Sequence, residues 1–177
     1  AVECWDGSEV CDSTDCPIEP HFLVEIDETG ESTLFIFQDT ITSLDAGDQV
    51  GLFDQAGIVD SNGTIGEVLV GAGTWDGSQL EVVAIGSVDL SQFGGPILPG
   101  AVDGNTMTLR VWDVSEQVVY NALYDISAGT GTFNGIFTAI SEVAGCEDLD
   151  NDGLCDDEDD CVGAYDECGI CNGDGLD

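Results

Sequence analysis

The sequence contains no lysine, a single arginine (Arg110) and a single histidine (His21), set against 37 acidic residues. The formal charge is −36. This lack of positive charge excludes nucleic acid as a partner, because binding it needs clustered Lys and Arg to displace counterions. It excludes attraction to an anionic membrane surface for the same reason. One histidine leaves no room for a Ser-His-Asp site unless His21 serves. His21 opens an apparent strand and reads as a surface histidine at a strand edge. A Gly-rich phosphate loop of the right pattern is also missing. Carboxylate pairs for glycoside hydrolysis arise by accident in so acidic a chain. The expectation is a protein that is not an enzyme. No apolar run reaches the length of a membrane-spanning helix, so no membrane insertion is expected. Ala1 is expected to be a mature N-terminus left by cleavage after a small residue. No segment sustains a 3.6-residue apolar period.

What is present points to a folded, cation-seeking protein. The hydrophobic fraction is 42%, which is too high for an acidic disordered chain. Self-repulsion at this charge destabilises a compact state unless counterions or bound metal offset it.

The eight cysteines are Cys4, Cys11, Cys16, Cys146, Cys155, Cys161, Cys168 and Cys171. None lies between Cys16 and Cys146. An even count in Asp- and Gly-rich surroundings points to four disulfides in an oxidising, extracellular or cell-surface setting. The rival is zinc, since "CGIC" has C-x-x-C spacing, but a second such pair is absent. Connectivity is not deducible from the count.

Composition divides the chain into three zones. Residues 1–17 are short, acidic and Cys-rich. Residues 18–145 carry the apolar runs. Residues 146–177 hold 13 acidic residues and five cysteines. In the middle zone, "HFLVEI", "STLFIFQ", "QVGLFD", "IGEVLVGA", "LEVVAIG", "TMTLRVWD", "QVVYNALY" and "TFNGIFTAI" are β-rich runs separated by turn sequences such as "DSNG" and "WDGS". In "TMTLRVWD", Met107, Leu109 and Val111 point one way, and Arg110 and Trp112 the other. The expectation is all-β: an antiparallel β-sandwich, jelly-roll or Ig-like, flanked by irregular Cys-rich ends. The Gly/Pro-rich stretch at 86–104 reads as a long loop able to carry function. "DGSEVCDSTDC" near the start echoes "DGLCDDEDDC" near the end, as two copies of one module or as chance in a small alphabet.

The stretch "DLDNDGLCDDEDDC" has a register that plain acidity does not explain. Counted from Asp148, acids fall at positions 1, 3, 5, 9 and 12: Asp148, Asp150, Asp152, Asp156 and Asp159. Gly153 is at 6 and Leu154 at 7. This is the pattern of a Ca²⁺ loop, with Asp in place of the closing Glu. Ca²⁺ takes six to eight oxygens, glycine permits the sharp turn, and the Leu154 carbonyl supplies one ligand. The alternative is a solvated acidic tail. Helix-forming flanks are missing, so an irregular calcium-wrapped tail is expected in place of a helix–loop–helix.

The same residues resemble a thrombospondin type 3 repeat, a module that wraps Ca²⁺ and is stapled by disulfides. The resemblance covers about 14 residues and implies that Asp148, Asp150, Asp152, Asp156 and Asp159 are ligands. Cys155, inside the loop, departs from the family pattern. "CVGAYDECGICNGDG" resembles the Cys-rich linkers of large secreted bacterial surface proteins. "DAGDQVGLFD" and "LRVWD" are similar to a β-sandwich module of such proteins.

Two aromatic residues bear on ligands. Trp75, in the turn-like "TWDGS", is the better candidate for stacking a sugar. Trp112 shares a face with Arg110 and reads as packing or a cation–π pair. "NGT" at Asn62–Thr64 is an N-glycosylation sequon. Taken together, these features predict a secreted structural subunit that assembles with copies of itself, head to tail, into a calcium- and disulfide-stabilised helical fibre. The chain ends with "NGDGLD", half of another calcium loop, and begins with "ECWDGSEVCD", so adjoining ends could share ligands. The alternative is a calcium-dependent adhesin or carbohydrate-binding module with glycans as partners.

Overall fold

The structure is a computed structural model. It describes all residues except 5, 17–18, 147–155, 157–159 and 174–177. The described chain is nearly all β. Two short strands, β1 (Val2–Glu3) and β2 (Glu9–Val10), pair ahead of the main body. The body holds β3 (Ser32–Phe37), β4 (Gln49–Ile58), β5 (Ile65–Thr74), β6 (Leu80–Ile85), β9 (Thr108–Asp113), β10 (Val118–Ala128) and β11 (Phe137–Gly145). Between β6 and β9 lies a small hairpin, β7 (Val88–Asp89) with β8 (Ile97–Leu98).

The seven long strands form one sheet in the order β5-β4-β9-β10-β11-β3-β6. Every pairing is antiparallel except β11 with β3, which runs parallel from Phe137↔Leu34 to Ile140↔Phe37. The first and last long strands are thus zipped together, which ties off the domain. The sheet curls until its outer strands, β5 and β6, lie against each other. Two glycines permit that approach. A Cβ on Gly71 would lie 2.9 Å from the Val83 carbonyl oxygen, and one on Gly73 would lie 3.1 Å from the side chains of Leu80 and Val82. The all-β expectation therefore holds, with both layers drawn from one nearly closed sheet.

Alternation along each strand fills the interior. Phe35, Phe37, Val50, Leu52, Val70, Val111 and Ile140 are fully buried. Each such side chain stabilises the fold by about 1.5–3 kcal/mol relative to exposure. Two buried carboxylates serve the backbone. Asp54 accepts hydrogen bonds from the Ala56 and Val102 N–H groups (2.9 and 2.8 Å) and from Asn105 Nδ2 (2.9 and 3.0 Å). Asp48 accepts from the Asp45 and Val114 N–H groups at 2.9 and 3.1 Å.

Two sequence expectations are corrected. "HFLVEI" forms no strand. Its alternation survives, with Phe22 buried, Val24 and Ile26 half-buried, and Leu23 and Glu25 exposed. However, the N–H groups of His21 and Phe22 donate to Gln49 Oε1 (2.8 and 3.3 Å) instead of to a strand partner. The 86–104 stretch is an ordered hairpin and not an open loop. It turns through Ser91–Phe93, and Gly100 and Ala101 tie it back to Ile58 and Ile85.

Candidate functional site

The strands that bury Leu109 and Val111 turn the next residues outward. On that outer face the Arg110 guanidinium lies 4.4 Å from the centre of the Phe53 ring. It also makes a paired contact with the Glu67 carboxylate at 2.8 and 2.6 Å, and Nε donates to Asn121 Oδ1 at 3.2 Å. The cation–π partner of Arg110 is therefore Phe53 and not Trp112. The β4–β9 register explains this, because it sets Gly51 opposite Arg110 and leaves Phe53 two residues further along that face. Trp112 instead stacks on His21, ring centres 4.0 Å apart and planes 3° apart. His21 is exposed but belongs to this stack and not to a strand edge.

Beside the stack is a cavity of 570 Å³, lined among others by Glu19, Pro20, His21, Thr74, Trp112 and Gln117. It combines one aromatic wall with amide, hydroxyl and carboxylate groups, the mixture that recognises small polar ligands. Trp75 takes no part in it. It is 2% exposed and packs in the core, with its N–H donating to the Asp48 carbonyl and its carbonyl accepting from Gly47. The turn that follows it, Asp76–Ser78, misled the sequence reading.

Turns account for many of the exposed carboxylates. Asp60, at the tip of the β4–β5 hairpin, accepts from the Thr64 hydroxyl (2.7 Å) and from the Thr64 and Asn62 N–H groups. These bonds hold its pKa below the usual carboxylate value, with the Thr64 hydroxyl the largest cause. Serine hydroxyls do the same for Asp6, Asp76, Asp89 and Asp113, through Ser8, Ser78, Ser91 and Ser115. Asn62 is exposed at the same hairpin tip. Burial raises the Tyr120 phenol above its ordinary value, with the charges of Asp48 and Asp113 adding to it.

The ends are held differently. Cys4 pairs with Cys16 and Cys161 with Cys171, and Cys146 is also disulfide-bonded. Since Cys171 is bonded to Cys161, "CGIC" offers no thiolate pair for zinc. Cys11 is an exposed thiol, so the expectation that all eight cysteines are bonded fails there within one chain. An even count constrains parity and does not say which side chains meet. The disulfides mark an oxidising setting.

The calcium-loop positions Asp148, Asp150, Asp152, Leu154 and Asp159, with Cys155, lie outside the described residues. Asp156 is described, in a turn and half-buried. Among the described residues no three His, Cys, Asp or Glu side chains converge as a metal site, and no helix is long and apolar enough to cross a membrane. The chain matches no family model, no curated protein and no solved structure.

Proposed function

We propose that this chain is a non-catalytic structural subunit of an extracellular fibre or surface array, with Ca²⁺ and disulfides stabilising the segments that join copies. The observation that carries this reading is the segregation of cross-links. Every disulfide-bonded cysteine among the described residues lies at 4–16 or 146–171, and the sheet between them has none. A core of this size is stable without staples, so the cross-linked ends serve something beyond the fold. The register around Gly153 supports Ca²⁺ in the trailing segment, held by Asp148, Asp150, Asp152, Asp156, Asp159 and the Leu154 carbonyl. Metal bound only in the assembled state would favour that state by mass action.

Electron microscopy of the protein with calcium tests this. Filaments or arrays are expected, and Asp150→Ala should shorten or abolish them. Dispersed single particles at high concentration, with calcium present and disulfides formed, would overturn the reading. That result would favour a glycan-binding module, for which the half-exposed Trp112 and its cavity are the supporting observation.

A further inference from the structure

The segment ahead of β3 is docked on the sheet without being part of it. Residues 23–28 make no backbone–backbone hydrogen bond among the described residues. Side chains do the holding. His21 stacks on Trp112, and the Phe22 ring meets Phe53 edge to face at 5.8 Å. Val24 and Glu28 line one side of a groove of 390 Å³ whose other side is Val70, Ala72, Val83 and Ile85, and Ile26 packs on the core. The acceptor is shaped for this segment. A Cβ on Gly51 would lie 2.9 Å from the Phe53 ring and 3.0 Å from the Phe22 ring, so glycine leaves room for both rings. The chain is next anchored at Thr29, whose hydroxyl donates to the Gly86 carbonyl, and at Glu31, whose carbonyl accepts from the Gly86 N–H at 2.8 Å. Between Ile26 and Thr29 lie only Asp27 and Glu28, both exposed.

We infer that residues 19–26 are an exchangeable arm, and that the occupant of the groove in an assembly is the arm of a second copy. Opening at Asp27–Glu28 breaks no sheet pairing, because there is none to break. Every contact made within one chain is remade between chains, so exchange needs no new complementary surface. Each copy offers one arm and one groove. The contact is heterologous and propagates into a linear chain of copies unless it closes into a ring. Repulsion between copies of charge −36 opposes exchange at low ionic strength and is screened as salt rises. The inference rests on the assembly reading above and adds a second contact to it: the cross-linked ends stabilise the assembly, the arm supplies its apolar contact, and both are needed.

The test uses full-length chains with disulfides intact, their fold checked by circular dichroism and their mass read by light scattering. Gly51→Val blocks the groove and leaves the arm intact. Phe22→Asp spoils the arm and leaves the groove intact. Each alone should be monomeric at 18.5 kDa. Mixed in equal amounts they should form a species of twice that mass and nothing longer, because only one arm–groove pair is competent. Deleting Asp27 and Glu28 keeps His21, Phe22, Val24 and Ile26 but strains closure within one chain. It should shift monomer to oligomer at several-fold lower protein concentration. A mixture whose mass is the mean of its components, or a hinge deletion that leaves the mass unchanged, overturns the inference. If wild type and both variants form equal filaments, the assembly reading stands and the arm falls. If wild type stays monomeric under all conditions, both fall.

Discussion

The sheet and the ends of this chain are held together by different physics. Within residues 32–145 the strands are joined by continuous backbone ladders over a core of fully buried side chains, without a single disulfide. At 1–16 and 160–173, the described secondary structure is one two-residue strand pair, one short 3-10 turn and the isolated bridge Tyr165↔Cys171, and cross-links supplement burial. A chain that can bury apolar area does not need staples; segments of a few tens of residues do. The sheet should therefore resist reductant and respond to core mutations, while the ends should do the reverse.

Breaking the sheet has the largest expected effect. Trp75→Ala removes a large side chain that is 2% exposed. It should cost about 3–5 kcal/mol of domain stability in urea unfolding. A loss below about 1 kcal/mol would return Trp75 to the surface. Asp54→Ala comes next. It removes the acceptor of the Ala56 and Val102 N–H groups and leaves the half-buried Asn105 amide with only the Ala56 carbonyl, and should cost about 1–3 kcal/mol. Glu67→Gln is the smallest change. It weakens a half-exposed ion pair to Arg110 and should cost about 1 kcal/mol or less, since the guanidinium keeps its place over Phe53.

The pH response sharpens the contrast further. The lowered pKa of Asp60 means the folded state binds its proton less readily than the unfolded chain does. The stabilisation is present above the unfolded value of 3.8 and is lost as pH falls through the folded one. NMR titration should place Asp60 below an unstructured aspartate, and Thr64→Val should return it toward that value.

Alternation was readable from the sequence where it governs burial. Met107, Leu109 and Val111 share one face in the sequence, and that face is the buried one, at 1%, 1% and 0% exposure. "HFLVEI" reads as a strand but its backbone is unpaired, because a period of two reports burial and not hydrogen bonding. The parallel pairing of β11 with β3 was not legible, since local pattern carries no information about which distant strand is the neighbour. The stack of His21 on Trp112 was missed for the same reason. Trp75 was misplaced because its flanking turn signal is local, while its burial depends on Asp48 and Gly47 across the sheet. The cysteine count predicted disulfides but not that Cys11 stays a thiol. The calcium register is a local pattern whose positions, apart from Asp156, lie outside the described residues, so it stays an expectation.

The central claim is that the sheet stands alone and the ends do the joining. Light scattering and circular dichroism read on the same samples, with and without chelator and with and without reductant, test it most directly. Mass should fall with chelator, and fall to 18.5 kDa with chelator and reductant together, while the β signal of the sheet stays unchanged. A mass indifferent to both reagents, or a β signal lost along with the mass, would contradict it.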